Sequence, residues 1–108
     1  MDAALTELSD RVRSLLMAEP GLEEKRMFGT RAFLLEGRIL VGARKHGVLL
    51  VRVTEERGMA LLTETGAAVA VMGGKSMGPS WLDVAPTAIE DDDALMFWID
   101  AARESAAS

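Results

Sequence analysis

The side chains best suited to catalysis are few in this sequence. It has no cysteine and one histidine, His46, which stands in a predicted turn. A nucleophile activated by a base would require Ser80, His46 and a carboxylate, and their spacing gives no indication that they meet. Without cysteine, disulfides and thiolate metal sites are excluded. We therefore expect a protein that is not an enzyme.

Two further patterns resemble ligand sites. The segment Gly73-Gly74-Lys75-Ser76 is similar to the end of a phosphate-binding loop, but Val69 occupies the first glycine position and Gly78-Pro79 stands where a helix should begin. The run Glu90-Asp91-Asp92-Asp93 lacks the alternation of a calcium loop, and capping of a following helix explains it better. We expect neither a cofactor nor a metal.

Charge and hydropathy limit the partners and the location. With 12 Lys and Arg against 17 Asp and Glu, the formal net charge is −5. A surface of this sign repels phosphate backbones, so direct nucleic-acid binding is not expected. The N-terminus lacks the pattern of a secretory signal. Apolar runs such as Ala67–Met72 are far shorter than the ~20 residues that cross a bilayer. We expect a cytoplasmic protein that does not enter a membrane.

The elements that would position these side chains fit one domain of 108 residues, with an ordered core at about 3–103. Apolar residues repeat at helical spacing from Leu5 to Leu16, with Asp2 as the predicted cap and Pro20-Gly21 as the stop. A third helix follows Pro86, where Leu95, Trp98 and Ile99 form an apolar stripe. At this spacing we expect Trp98 to be buried.

The middle of the chain has the period of strands. Three short apolar runs, separated by turn residues at Glu36-Gly37 and Lys45-His46-Gly47, predict a meander of Ala32–Leu35, Arg38–Ala43 and Val48–Val53. Thr54 is the predicted cap of a second helix that ends at Gly66, and Gly58 should weaken that helix. Two more strands are expected, at Ala67–Met72 and near Trp81–Val84. The prediction is an α+β domain with an antiparallel five-stranded sheet, in the order α-β-β-β-α-β-β-α.

Four segments carry a family resemblance. They are Lys25-Arg26-Met27-Phe28-Gly29, Leu49-x-Val51-Arg52-Val53, Met72-Gly73-Gly74-Lys75-Ser76-Met77 and Leu95-x-x-Trp98-Ile99. In this order and spacing the chain resembles the N-terminal domain family of the TfoX/Sxy competence regulators, from about Arg11 to Ala102. The resemblance implies a secretion-chaperone-like α+β fold for residues 1–108, with the element order predicted above.

The resemblance also implies a regulatory role. Longer family members help a cyclic-AMP-receptor-type activator to turn on DNA-uptake genes, and they carry a second, helical domain. We expect a stand-alone member without that second domain. Two local departures are Thr30, where the family commonly has glycine, and the loop at Met77–Trp81, which is offset from the usual pattern. The implied partner is a protein, such as the transcription machinery or an activator of that type.

We predict that the contact surface combines the Arg26–Gly29 segment with the Lys75–Trp81 loop. Its residues are Lys25, Arg26, Phe28, Gly29, Arg52, Lys75, Met77 and Trp81. The four basic side chains either converge on one edge of the sheet or are solvated separately. The alternative function is a small-molecule or anion sensor that uses the same basic residues and the glycine-rich turn. A homodimer is also left open, because uncovered edge strands can pair with a second copy.

Overall fold

The helices begin at the side chains that the sequence predicts as caps. The computed structural model describes residues 2–27 and 29–107. Asp2 caps α1 (Ala3–Leu16), Thr54 caps α2 (Glu55–Glu64) and Asp91 caps α3 (Asp92–Ala106), each by accepting a backbone N–H of the first turn at 2.7–3.2 Å. Asp92 and Asp93 follow in the first turn of α3, where the helix dipole favours carboxylates. The predicted capping role of the acidic run is confirmed.

Eight strands occur in the described part of the chain, and they form two sheets. Their bounds are β1 Leu22–Met27, β2 Thr30–Leu35, β3 Arg38–Ala43, β4 Leu49–Arg52, β5 Ala68–Val69, β6 Val71–Met72, β7 Lys75–Ser76 and β8 Trp81–Val84. The main sheet is antiparallel throughout and has the spatial order β1-β2-β3-β4-β8-β5. The second sheet is the β6–β7 hairpin.

The predicted α+β class is confirmed, but the five-stranded sheet is corrected to six strands. The additional strand is β1, which has four exposed residues in its centre and therefore no apolar alternation in the sequence. The predicted strand Ala67–Met72 is divided at Ala70. After Ala70 the chain no longer pairs with β8. It forms the β6–β7 hairpin, whose turn is Gly73-Gly74, and both glycines have positive φ.

One face of the main sheet, here called the helix face, packs against α1 and α3. Alternate residues of β2, β3, β4 and β8 point to it, and they form a single buried cluster with the apolar stripes of both helices. Phe33 from β2 is fully buried there, and Trp98 from α3 is 4% exposed. The predicted burial of Trp98 is confirmed.

A bulge in β3 changes which face its first residues use. Val41 lies opposite Phe33, but Ile39 lies opposite Leu34, so Leu40 is the extra residue. Leu40 and Val41 are both buried. A bulge of this kind reverses the alternation beyond it. It therefore places Ile39 on the face opposite the helices and Arg38 on the helix face.

The opposite face, here called the open face, is tied to the β6–β7 hairpin by an ion pair. Arg44 Nη1 donates to both carboxylate oxygens of Asp83 at 2.8 Å, and Arg44 Nη2 donates to the Val71 carbonyl at 3.1 Å. The hairpin is closed at its base by the bond from the Met77 N–H to the Ala70 carbonyl, at 2.8 Å. Through these contacts β3, β8 and the hairpin hold one another in place.

Asp2 joins the start of α1 to the connection between β3 and β4. Its Oδ1 accepts from the Leu5 N–H and its Oδ2 accepts from the His46 N–H at 2.8 Å. His46 and Gly47 both have positive φ in this 3₁₀ turn, so the predicted tight turn is confirmed. The bond from His46, followed by the bond from Leu5, lowers the pKa of Asp2 below its usual value.

The lowered pKa predicts a pH-dependent contribution to stability. A carboxylate with a depressed folded-state pKa stabilises the fold above its unfolded pKa of 3.8, and this contribution is lost as the pH falls through the folded value. The Asp2→Ala variant should therefore melt at a lower temperature than wild type at neutral pH, and the difference should shrink below pH 3.8. Thermal unfolding followed by circular dichroism checks this. A difference in melting temperature that stays constant down to pH 2 contradicts it.

No helix in residues 2–27 and 29–107 is long and apolar enough to cross a membrane.

Candidate functional site

The described residues of the predicted contact surface lie in separate parts of the fold: on or beside β1, on β4 and β8, and on or after the β6–β7 hairpin. Lys25 and Arg26 are exposed on β1, the edge strand, and Gly29 is exposed in the turn that follows, with φ 77°. Phe28 lies outside the described residues. Arg52 and Trp81 lie three and four strands away, on β4 and β8.

The register also places these two groups at opposite ends of the strands. The β1–β2 turn lies at the end where Ala43 pairs with Leu49, whereas Arg52 pairs with Trp81 at the other end. Lys75 lies on the separate β6–β7 hairpin. Lys25, Arg26, Arg52 and Lys75 therefore do not converge on one edge, and the alternative of separate solvation is correct.

Met77 lies close to the second group. Its N–H donates to the Ala70 carbonyl, and the Ala70 N–H donates to the Trp81 carbonyl, each at 2.8 Å. The side chain of Met77 is 37% exposed. The predicted surface is thus divided into a β1 edge, which holds Lys25, Arg26 and Gly29, and a region around Arg52, Trp81 and Met77.

The β1 edge carries unpaired backbone groups. Met27 and Thr30 are opposite each other, and two residues lie between them in the chain, so they form the hydrogen-bonded pair that closes a two-residue loop. By alternation, the N–H and C=O groups of Leu22, Glu24 and Arg26 point away from β2. The bonds from the Arg44 N–H to the Val48 carbonyl and from the Val53 N–H to the Ser80 carbonyl agree with this alternation of hydrogen-bonded and non-hydrogen-bonded pairs when it is followed across the sheet.

An ion pair fixes β1 against α1. The Arg13 guanidinium donates to both carboxylate oxygens of Glu24, at 2.7–3.1 Å, and to the Asp10 carboxylate at 2.7 Å. The two carboxylates, Glu24 first, raise the pKa of Arg13 above its usual value. This contact holds the exposed strand by its helix-face side chain and leaves its outer backbone groups accessible.

The second region contains a cleft of about 390 Å³ at the end of the sheet, here called the Trp81 cleft. It lies where the start of β3, the end of β4 and the start of β8 meet the last turn of α3. Its polar lining includes Arg38, Arg52, Ser80 and Ser105, with Trp81 and Ile39 as apolar walls. Two residues of the predicted surface, Arg52 and Trp81, line this cleft.

Arg52 and Trp81 form a cation–π pair. They are directly opposite each other on neighbouring strands, and the guanidinium carbon of Arg52 lies 5.3 Å from the centre of the Trp81 ring. A guanidinium over an indole ring is attracted by the negative face of the ring. The contact orients Arg52 while its N–H groups remain available at the rim of the cleft.

Arg38 is the cleft residue that the sequence analysis missed. The bulge at Leu40 turns it to the helix face, where its Nη1 donates to the Ala106 carbonyl at the end of α3, at 3.0 Å. Ser105 was missed as well, because the sequence predicts fraying from Glu104 onward, whereas α3 continues to Ala106. An arginine beside a turn carries no pattern that would have identified it.

The groups considered for catalysis lie at opposite ends of the sheet. His46 is exposed in the turn between β3 and β4, whereas Ser80 directly precedes β8 at the Trp81 cleft. No group of three His, Asp or Glu side chains able to hold a metal ion occurs in the part of the chain that the structure describes. The polar side chains that line the Trp81 cleft include arginines and serines, which can donate hydrogen bonds.

An antiparallel sheet of six strands, with two helices on one face and exposed edges, defines a small α+β domain. The family model of the TfoX N-terminal domain matches residues 14–106, and the chain belongs to this family. The predicted family resemblance is thereby confirmed. No curated protein and no solved structure matches the chain.

Proposed function

We propose that this chain is a non-enzymatic regulatory domain that binds a partner protein along its β1 edge. The observation that carries the proposal is the exposed edge strand itself, in a member of the TfoX N-terminal domain family. The partner class implied by the family is the transcription machinery or a cyclic-AMP-receptor-type activator. Such a role is exercised in the cytoplasm.

Strand addition is the binding mode that suits this edge. An extended peptide gains backbone hydrogen bonds by joining an exposed strand, and its side chains supply the specificity. The outward groups of Leu22, Glu24 and Arg26 offer such bonds along a strand of six residues, a length of about 20 Å.

Charge would select the partner strand. The central residues of β1 are Glu23, Glu24, Lys25 and Arg26, two acidic and then two basic. Charged side chains on an edge oppose indiscriminate pairing, because a strand with the wrong order of charges meets like charges. Since Glu24 is already paired with Arg13, a strand with a basic residue opposite Glu23 and acidic residues opposite Lys25 and Arg26 is favoured.

The separation of His46 from Ser80 supports a non-enzymatic role. A nucleophile and its base must lie within hydrogen-bonding distance. These two side chains are held at opposite ends of β4 and β8, and closing that distance would require the sheet to be dismantled.

The first test is a pull-down from a nuclease-treated lysate of the source organism with three baits: wild type, Lys25→Glu and Lys75→Glu. The two variants carry the same substitution at exposed positions on different sheets. A partner held by wild type and by Lys75→Glu, but lost by Lys25→Glu, is the expected result. Equal capture by all three baits would exclude the β1 edge.

Strand addition is then tested on the captured partner by comparing Glu24→Pro with Glu24→Ala. Both variants lose the ion pair to Arg13, but only proline removes the outward N–H. We expect the proline variant to bind more weakly than the alanine variant. Equal binding by the two folded variants would show that the partner contacts side chains without joining the sheet.

A further inference from the structure

We propose that the Trp81 cleft is a binding site for a small polyanion that carries phosphate or carboxylate groups. This site lies at the other end of the sheet from the β1–β2 turn, and the proposal does not depend on partner binding at the β1 edge. It rests on the charges that line the cleft, on how its two arginines are held and on its size.

Among the residues that the structure describes, the two arginines of the cleft have no carboxylate partner. Within residues 2–27 and 29–107, four other arginines form ion pairs with acidic side chains, namely Arg11, Arg13, Arg44 and Arg103. Arg38 and Arg52 form none there, and the same holds for Arg26, Arg31 and Arg57. What distinguishes Arg38 and Arg52 is that both line one cleft, in a protein with 17 acidic residues and a net charge of −5. No Asp or Glu lines the cleft. The cleft is therefore a local positive site on an acidic molecule.

Both guanidinium groups are held in place before a ligand arrives. Arg52 makes the cation–π contact with Trp81, and Arg38 donates to the Ala106 carbonyl through Nη1. A guanidinium has five N–H donors, so each arginine retains several for a ligand. The bond to Ala106 also offsets the negative end of the α3 dipole, which would otherwise repel an anion. Side chains that are already ordered lose less conformational entropy on binding.

The hydroxyl groups of the cleft add further donors. Ser105 Oγ accepts the Thr54 N–H at 3.2 Å, which leaves its own proton available to a ligand. Ser80 uses its carbonyl, and not its hydroxyl, in the bond from Val53. Two arginines and two hydroxyls without a facing carboxylate form a set of donors that suits anionic oxygens.

The size of the cleft limits the ligand to a compact molecule. A volume of about 390 Å³ is near the lower end of the range for small-molecule sites. Two separate guanidinium groups suit a ligand with at least two negative charges. Pyrophosphate is a probe for ligands whose charge comes from phosphate groups, and citrate is a probe for ligands whose charge comes from carboxylate groups.

The test is isothermal titration of the full chain with pyrophosphate and with citrate, each at constant ionic strength. We expect saturable binding of at least one with a Kd below about 1 mM, weakened about tenfold or more in Arg38→Gln and in Arg52→Gln. Arg26→Gln is the matched control, since it removes an exposed arginine at the opposite edge. The tighter probe identifies the source of the anion. Absence of binding by both probes, or equal weakening in Arg26→Gln, overturns the proposal.

A second measurement locates the ligand without relying on the arginine variants. The chain has two tryptophans, and only Trp81 lines the cleft, whereas Trp98 lies in the core. The indole N–H resonance of Trp81, assigned with Trp81→Phe, should shift on titration with the bound probe while that of Trp98 stays in place. A shift confined to Trp98, or no shift at a saturating concentration, contradicts the site.

Discussion

Replacement of Phe33 by alanine is expected to lower the free energy of unfolding by about 3–5 kcal/mol. Phe33 is fully buried on the helix face of β2, beneath α1 and α3. Removal of its ring deletes buried apolar surface and leaves a cavity. The neighbouring residues cannot move in to fill it, because the hydrogen bonds of the sheet hold their backbone in place. Urea unfolding at 25 °C, followed by circular dichroism, measures the change. It is a large share of the ~5–15 kcal/mol that stabilises a typical domain.

Phe97→Ala is the matched control for this prediction. Phe97 lies on α3, is 46% exposed and contacts Trp98 edge to face, with 5.2 Å between the ring centres. Its removal should cost about 1 kcal/mol, for the aromatic contact and part of its buried area. Equal losses in the two variants would contradict the deep burial of Phe33 relative to Phe97.

Gly58→Ala is expected to destabilise the protein by about 1–3 kcal/mol, although helix propensity alone predicts a gain of about 1 kcal/mol. A Cβ at position 58 would lie 1.7 Å from the Pro79 carbonyl oxygen. The obstacle is backbone, so either α2 or the segment before β8 must move. The measurement is the same urea titration. A lower free energy of unfolding for the variant supports the close packing, and a higher one supports helix propensity.

Gly66→Ala supplies the comparison for Gly58. No atom lies within 4 Å of a Cβ built at Gly66, which follows Thr65, the C-cap residue of α2. We expect a change within about 0.5 kcal/mol for this variant. If Gly58→Ala proved as stable as Gly66→Ala, the close approach of α2 to Pro79 would be wrong.

The close approach explains a feature that the sequence analysis interpreted differently. Propensity alone predicts that Gly58 makes α2 weak or short; the helix spans Glu55–Glu64. Propensity describes an isolated helix, whereas here Pro79, 21 residues further along the chain, requires the glycine. Local sequence contains no signal for such a contact.

The helices were predictable because their signals are local. Apolar spacing, the predicted caps Asp2 and Thr54, and the acidic run Glu90-Asp91-Asp92-Asp93 identified all three helices of the described chain. Strand β1 was missed for the opposite reason. Its side chains are exposed on both faces, so nothing in their order indicates a sheet, and its pairing with β2 fixes it instead.

The candidate sites were predictable only in part. Arg52 and Trp81 were both predicted as contact residues, and the structure places them in one cleft. Arg38 joins them only because a bulge reverses the alternation of β3. The prediction also placed Arg26 and Arg52 on one surface, but the strand order separates them. Strand order depends on long-range pairing, which a single sequence does not display.

The β6–β7 hairpin gives the fold a position at which its length can change during evolution. The chain enters it at Ala70 and leaves it at Met77, and the backbone bond between these residues closes the base. Additional residues at the exposed Gly73-Gly74 tip would move neither of them, and the entropy cost of a longer loop rises slowly. Relatives of this chain are expected to differ in length here, while the strands on either side keep theirs.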